Sequence, residues 1–515
     1  MRVSHLVALT LLIPTAITAQ TDESVARSAG SITADDVAHR VGIIAHDSML
    51  GRNTPSPGLE MTAQYVADEF SSFGLAPGGD DGSYLQRYSL LWVKTDVANA
   101  SIAIHGGPTW RVGTELANAG GSTGPDGVTG PTLVVSGTEG GGEALAELPI
   151  EGAVVVWVGA TTRSGGLHSN VRRLLRSVVG MEPAALIIAS SPSEARWRVL
   201  LSRGSRPSLR KSWVQTSRVP TLQIQEATIA PVLAQHGFDL ESAGAGTPIQ
   251  ATPLPNLEIT VKLPEMVEDE VSAPNTIGIL EGRDPDLKDE YVVYSAHMDH
   301  VGQAGTPGAS CGAREGDDIC NGADDNASGT VAIIELAQAF AQLEPRPRRS
   351  IIFLTVSGEE RGMWGSEYFS THAPVPVEQM VANMNADMVG RNWTDTISVI
   401  GKEHSDLGET LHRVADEHPE LNMAPVDDQW PDERFYFRSD HIHFARKGVP
   451  ILFFFNGTHE DYHRPSDEPE KIDAEKESRV AKLMFYLGLE IANADQRPQW
   501  YPESYAEIVR PGGTE

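Results

Sequence analysis

Residues 291–300 read Tyr-Val-Val-Tyr-Ser-Ala-His-Met-Asp-His, an apolar run that ends at His297 with Asp299 two positions on. A continuous run rich in β-branched and aromatic residues predicts a strand buried on both faces, not one face of an exposed hairpin. Three comparable runs follow, and each leads to a side chain of the metal-ligating kind. Ile351–Val356 runs into Glu359 and Glu360, Val381–Ala386 into Asp387, and Val449–Phe455 into the loop that holds His463. Between the first two runs, Gly322-Ala-Asp-Asp-Asn-Ala-Ser-Gly329 sets Asp325 at the mouth of a helix over Ser328–Leu343. That helix has an apolar face at Val331, Ile334, Leu336 and Ala339. Strand–loop–helix repetition of this kind predicts an α/β domain with a central mixed, mostly parallel sheet and helices on both faces. Such sheets carry their sites beyond the carboxyl ends of the strands, where these polar residues fall.

Taken singly, the polar positions are ambiguous. A histidine at a strand end is commonly structural, and Asp or Asn before a helix is a favoured cap. Adjacent glutamates at the end of a buried strand are costly unless paired or bound to metal. The set His297, Asp325, Glu360, Asp387 and His463 offers two histidines and three carboxylates, too many for one tetrahedral zinc. It suits two ions sharing a carboxylate, with Glu359 left free as a base. Asp299 is placed to fix the tautomer of His297.

The segments AHMDHVG, NGADDNASG, SGEE, NADM and DYHRPSD, in this order, closely resemble the double-zinc exopeptidase family of secreted bacterial aminopeptidases. Glutamate carboxypeptidase, the transferrin receptor and glutaminyl cyclase are relatives. The motifs cover 297–467, and their flanking strands extend the likeness to 256–495. The helices at 33–73, with LGRNTPSPG and FGLAP, resemble the family's N-terminal part, and 118–252 resembles the protease-associated domain that many members insert. The resemblance implies the zinc-exopeptidase fold and two Zn2+ per chain. Asp325 would bridge both ions, with His297 and Asp387 completing one site and Glu360 and His463 the other. It assigns Glu359 as general base and proton shuttle, Asp299 as the partner of His297, and Tyr462 as a donor to the oxyanion. The bond Asp325–Asn326 is expected to be cis. The implied activity is release of N-terminal residues from peptides by a hydroxide held between the zincs. The alternatives are a carboxypeptidase or deacylase of the related co-catalytic zinc family, and a cyclase working with one zinc. The first usually carries its insertion after the Glu-Glu pair, and the second does not need five ligands. Non-catalytic relatives lose ligands, whereas every motif position is filled here.

At 515 residues the chain is long enough for a large domain with an insertion. The expected division is 1–19 signal peptide, 31–117 and 256–495 peptidase, 118–252 insert, and 496–515 tail. Within the insert, short strand-type runs at Ala153–Val158 and Ala184–Ala189 lie among arginines that include Arg172, Arg173 and Arg176. The glycine-rich stretch from Gly113 to Gly142 is expected to have little regular structure, and Arg497 onward to be loosely held. With 40 basic against 70 acidic residues the net charge is −30, which argues against nucleic acid or an anionic membrane as partner. Arg2, the apolar stretch Leu6–Ile13 and small residues to Ala19 have signal-peptide layout, so an exported protein, periplasmic or secreted, is expected. No later stretch is apolar enough to span a bilayer. Cys311 and Cys320 then read as a disulfide, with free thiols or thiolate ligands as the alternatives. Nothing in the sequence addresses oligomeric state.

Overall fold

The computed structural model describes residues 22–509 except 141–144, 146–147, 160–168, 204–205, 215–218, 241–246 and 315. The expected signal segment 1–19 lies outside the described residues. The chain forms two compact units, Met1–Tyr88 with Ser272–Glu515, and Ser89–Val271. The second encloses the expected 118–252 module and extends beyond it on both sides. Residues 89–117, expected in the peptidase body, fall within it for a reason that composition cannot show. Ser101–Ile104 pairs with Gln250–Lys262 on one side and with Thr109–Arg111 on the other, which ties them into the second unit's sheet.

In the first unit, strands β1 (Tyr291–His297), β2 (Ser350–Val356), β3 (Met380–Asp387), β4 (Thr396–Ile400), β5 (Ala424–Val426) and β6 (Ile451–Phe455) form a mixed sheet. Its order is β5-β4-β6-β3-β1-β2, followed by the strand Glu265–Leu280. β1 lies parallel to both β2 and β3, and β3 parallel to β6, so four strand ends meet on one edge of the sheet. Antiparallel pairing appears on either side of this parallel centre, between β4 and β6 and between β2 and the strand Glu265–Leu280.

The two-residue period of the strands divides them between two cores. Val292, Tyr294, Ala296, Ile351 and Phe353 pack on one face with helices α3 (Gly329–Ala341) and α5 (Ala474–Asn493). Val293, Ile352, Leu354 and Val356 face the other core, with Phe369 and Phe444. Helices α1 (Ala34–Ile44) and α2 (Pro57–Ser72) are capped by Thr33 and Ser56, whose hydroxyls accept from Asp36 and Leu59 backbone N–H groups. Helix α4 (Leu407–Glu417) lies between β4 and β5 in the chain. Among the described residues no helix is long and apolar enough to cross a membrane.

The tail is held more firmly than its composition predicts. Arg497 donates to Glu290 at 2.8 Å, Trp500 donates to the Gly448 carbonyl at 2.9 Å, and Pro502–Ile508 is helical. A tight approach in the core is between Gly488 of α5 and Tyr294, whose hydroxyl donates to the Met484 carbonyl at 2.8 Å. A Cβ at 488 would run into that hydroxyl. Gly488→Ala gains about 1 kcal/mol of helix propensity, yet the overpacking is expected to outweigh it by ~1–2 kcal/mol. A lower urea midpoint with unchanged m-value would show it.

The second unit is an eight-stranded sheet with a parallel centre. Val128–Ser136, Val154–Val158, Ala185–Ser190 and Thr221–Gln225 run side by side, with apolar clusters on both faces. The stretch 113–142 is therefore not low in order: it contributes the strands Leu116–Gly120 and Val128–Ser136. Its β-branched residues, among them Val128, Thr132, Val134 and Val135, outweigh the glycines, which mark the turns.

Candidate metal centre

Each expected ligand sits at the carboxyl edge of the parallel strands. His297 is the last residue of β1, Glu360 follows β2, Asp387 ends β3, and His463 lies in the loop after β6. Asp325 comes from the turn Ala323–Ser328 that opens α3, and the Asp325–Asn326 bond is cis. Cys311 and Cys320, in the loop before that turn, form a disulfide.

Buried hydrogen bonds fix this turn. Asp467 accepts from the backbone N–H groups of Asp324 and Asp325 at 3.1 Å. Asn326 donates to the Ala386 carbonyl at 3.0 Å and accepts from the N–H groups of Gly329 and Met388. The Thr330 hydroxyl donates to the His297 carbonyl at 2.8 Å, so α3 and β1 are locked at the site.

Two donor groups result. In the first, His297 Nε2 lies 3.3 Å from Asp387 Oδ1 and 3.5 Å from Asp325 Oδ1. In the second, His463 Nε2 lies 3.2 Å from both Asp325 Oδ2 and Glu360 Oε2. Asp325 thus presents one oxygen to each group. Ligands 2.0–2.1 Å from a tetrahedral zinc stand about 3.3 Å apart, so these separations match zinc coordination. Asp325 Oδ2, Glu360 Oε1 and His463 Nε2 are also buried without hydrogen-bond partners, a costly condition that a cation relieves. Nitrogen and carboxylate donors in this mix suit zinc.

Asp299 acts on His297 differently from the expectation. His297 Nδ1 is 3.2 Å from the Asp299 carbonyl and 3.8 Å from its carboxylate. A proton held on Nδ1 by that carbonyl leaves the Nε2 lone pair facing the carboxylates. The Asp299 carboxylate instead accepts from the Thr54 hydroxyl at 2.8 Å and from the Glu359 N–H at 3.2 Å. It therefore orients the glutamate pair. Ser439, in the SDHIHF stretch, donates to Asp387 Oδ2 at 3.0 Å.

Glu359 and Tyr462 line one cavity with His297, Asp325 and Asp387, and Met388, Phe435, Phe453, Phe455 and Arg438 also line it. Burial raises the Glu359 carboxyl well above its usual range. Glu360, Asp440 and Asp387 add to the rise, and His297 opposes it. Burial also opposes ionisation of Glu360, yet His300 and His463 hold that carboxyl well below its usual range. The two adjacent glutamates are thereby driven apart in acidity, Glu359 upwards and Glu360 downwards.

Three contributors escaped the sequence reading. His300 places Nδ1 3.1 Å from Glu360 Oε1. Asp467 and Arg52 hold the ligand loop, Arg52 by donating to the carbonyls of Asn321 and Gly322. His300 and Asp467 stand inside motifs already quoted, and two charged residues within such short segments are the signal for them. Arg52 also stands inside a quoted segment, LGRNTPSPG, but nothing local there shows that it reaches the ligand loop.

Fold and donor set together define an α/β domain of the zinc-exopeptidase kind. Residues 275–488 match the profile of Peptidase family M28, and this stretch carries every ligand named above. The chain is 26% identical over 240 residues to a "Probable leucine aminopeptidase" of Trichophyton verrucosum. That match takes in 45% of this chain and 61% of the relative, so the chain spans about three fifths of that protein's length. Aminopeptidase YwaD of Bacillus subtilis is 23% identical, over 47% of this chain and 49% of its own. The solved aminopeptidase from Aneurinibacillus sp. strain AM-1 shares the fold. Its TM-score is 0.51 at 17% identity, covering 92% of this chain and 97% of the other.

Proposed function

We propose that the protein is an exported aminopeptidase that binds two zinc ions and removes N-terminal residues from peptides. The observation that carries this reading is the shared cavity, whose lining combines a base of raised pKa, a tyrosine, the donors His297, Asp325 and Asp387, and several apolar side chains. Zinc bound there supplies Lewis acidity, polarising the scissile carbonyl and lowering the pKa of water from ~15.7 towards ~7. Glu359 takes the proton of the attacking water and returns it to the leaving amine. Tyr462, whose pKa is raised by burial and by the carboxylates about it, keeps its proton and donates it in a hydrogen bond to the developing oxyanion. Met388, Phe435, Phe453 and Phe455 would receive an apolar side chain, in keeping with the activity named for the Trichophyton relative. We also read 1–19 as a signal peptide and the second unit as a protease-associated domain. Its parallel centre and the excess of basic residues between 163 and 218 support a separate module.

The test is a panel of aminoacyl-p-nitroanilides beside their N-acetylated forms, with and without chelator. The expected result is chelator-sensitive cleavage of free-amine substrates only, with Leu and Phe ahead of Asp and Lys. Cleavage confined to blocked substrates would replace this reading with the carboxypeptidase or deacylase one.

A further inference from the structure

We propose that His300 is a sixth protein ligand, closing one metal site as His300, His463, Glu360 and Asp325 and leaving the other, His297, Asp387 and Asp325, open to substrate. The inference rests on the zinc reading above and deepens it.

His300 is fully buried, and neither of its ring nitrogens makes a hydrogen bond. This is unusual for an imidazole, because a buried polar atom without a partner has given up its water for nothing in return. Nδ1 nevertheless lies 3.1 Å from Glu360 Oε1 and 3.5 Å from Asp325 Oδ2, two oxygens that are themselves buried and unpartnered. At 3.1 Å an N–H aimed at an oxygen would be an ordinary hydrogen bond, so what is missing is direction, not proximity. Atoms that crowd together without pointing at one another are arranged about a common point. His463 Nε2 shows the same pattern, 3.2 Å from each of two carboxylate oxygens and hydrogen-bonded to neither. His297 Nε2 differs, since its approach to Asp387 Oδ1 at 3.3 Å does have hydrogen-bond geometry.

The chain holds His300 in this position. Its N–H donates to the Arg52 carbonyl at 3.3 Å, and its ring meets that of His463 edge-on at 5.6 Å and 75°. Gly322, at φ 56°, makes the room: a Cβ there would stand 2.5 Å from ring atoms Cγ and Cδ2. Four protein ligands make a closed site of the structural kind, and three leave the open position that catalysis needs. The cavity is lined by His297, Asp325 and Asp387 but not by His300, Glu360 or His463. The site with four protein donors is the one expected to bind the tighter ion.

The test is competition titration of zinc into the metal-free protein, with His300→Gln and His300→Ala beside the wild type. Glutamine keeps an N–H donor and most of the bulk but is a poor zinc ligand. The expected result is one tight and one weaker ion in the wild type, with the tight ion weakened more than about 100-fold in both variants. Loss of a residue that only orients a ligand costs about 10- to 100-fold. A His300→Gln protein within about 100-fold of wild type would reduce His300 to a residue that orients a ligand and overturn the inference. Zinc-edge X-ray absorption of the wild type provides a second readout, which needs no variant to fold. Three imidazoles shared by two ions support the assignment, and two overturn it while leaving the metal centre intact. A wild type that binds no zinc removes both readings.

Discussion

Glu359→Gln is expected to lower kcat by ~10²–10⁴ while leaving two zinc ions bound. The amide nearly matches the carboxylate in size, so the cavity keeps its shape, and the backbone N–H of residue 359 still reaches Asp299 Oδ1. What disappears is the group that accepts a proton. Burial and the carboxylates Glu360, Asp440 and Asp387 lift the Glu359 carboxyl well above its usual range. Divalent cations bound among the same carboxylates would draw it back towards neutrality, where a general base is most effective. The adjacent Glu360→Gln has a different expected signature, because Glu360 presents its oxygens to His300 and His463. That change should release metal, with activity falling as a consequence. Zinc analysis beside steady-state kinetics on leucyl-p-nitroanilide separates the two. A Glu359→Gln enzyme within tenfold of wild type would remove this residue from the chemistry.

The contrast between neighbouring glutamates could be read from the sequence because it depends on local order. A buried strand ends at Val356, and two carboxylates follow three and four residues on. The same holds for His297, Asp387 and the turn around Asp325, whose positions follow from apolar runs that can only be strands of a covered sheet. Sequence reading failed where the determining contact is distant along the chain. Composition marks the basic arginines, whereas the sheet of the second unit also takes in strands 101–104 and 109–111, which join it through 250–262. The tail looked loose because its partners, Glu290, Gly448 and His404, are far removed in sequence. Asp299 was given the right neighbour and the wrong atom: whether its carbonyl or its carboxylate faces the ring depends on backbone geometry that no motif encodes. His300 was passed over because one histidine in AHMDH already had a role.

Arg52 is the extreme case of a residue whose partners are distant in sequence, and Arg52→Met is expected to destabilise the metal-free protein by ~3–5 kcal/mol. The side chain is fully buried, and its guanidinium donates to four carbonyls. Nε reaches Met298 at 2.9 Å, Nη1 reaches Ile44 at 2.9 Å and Asn321 at 2.6 Å, and Nη2 reaches Gly322 at 2.8 Å. These acceptors belong to the end of α1, the loop after β1, and the turn that carries Asp325, so one planar group joins the three segments around the site. Methionine fills much of the volume and leaves all four acceptors bare, each at about 1–3 kcal/mol if water cannot reach it. Lysine should rescue little, since one ammonium with three donors cannot span the positions of a rigid fork. Burial lowers the Arg52 pKa to about 10 against the pull of Asp325, Asp299, Asp467 and Glu360, so the group remains charged at neutral pH. It is therefore a standing positive charge behind a cluster of carboxylates. Zinc supplies positive charge to the same cluster, so the loss should be smaller in the zinc-loaded protein than in the metal-free one. Urea unfolding of both forms measures that difference. A cost below about 1 kcal/mol in the metal-free form would mean that water replaces the guanidinium at these carbonyls, and that the ligand loop keeps its place without it.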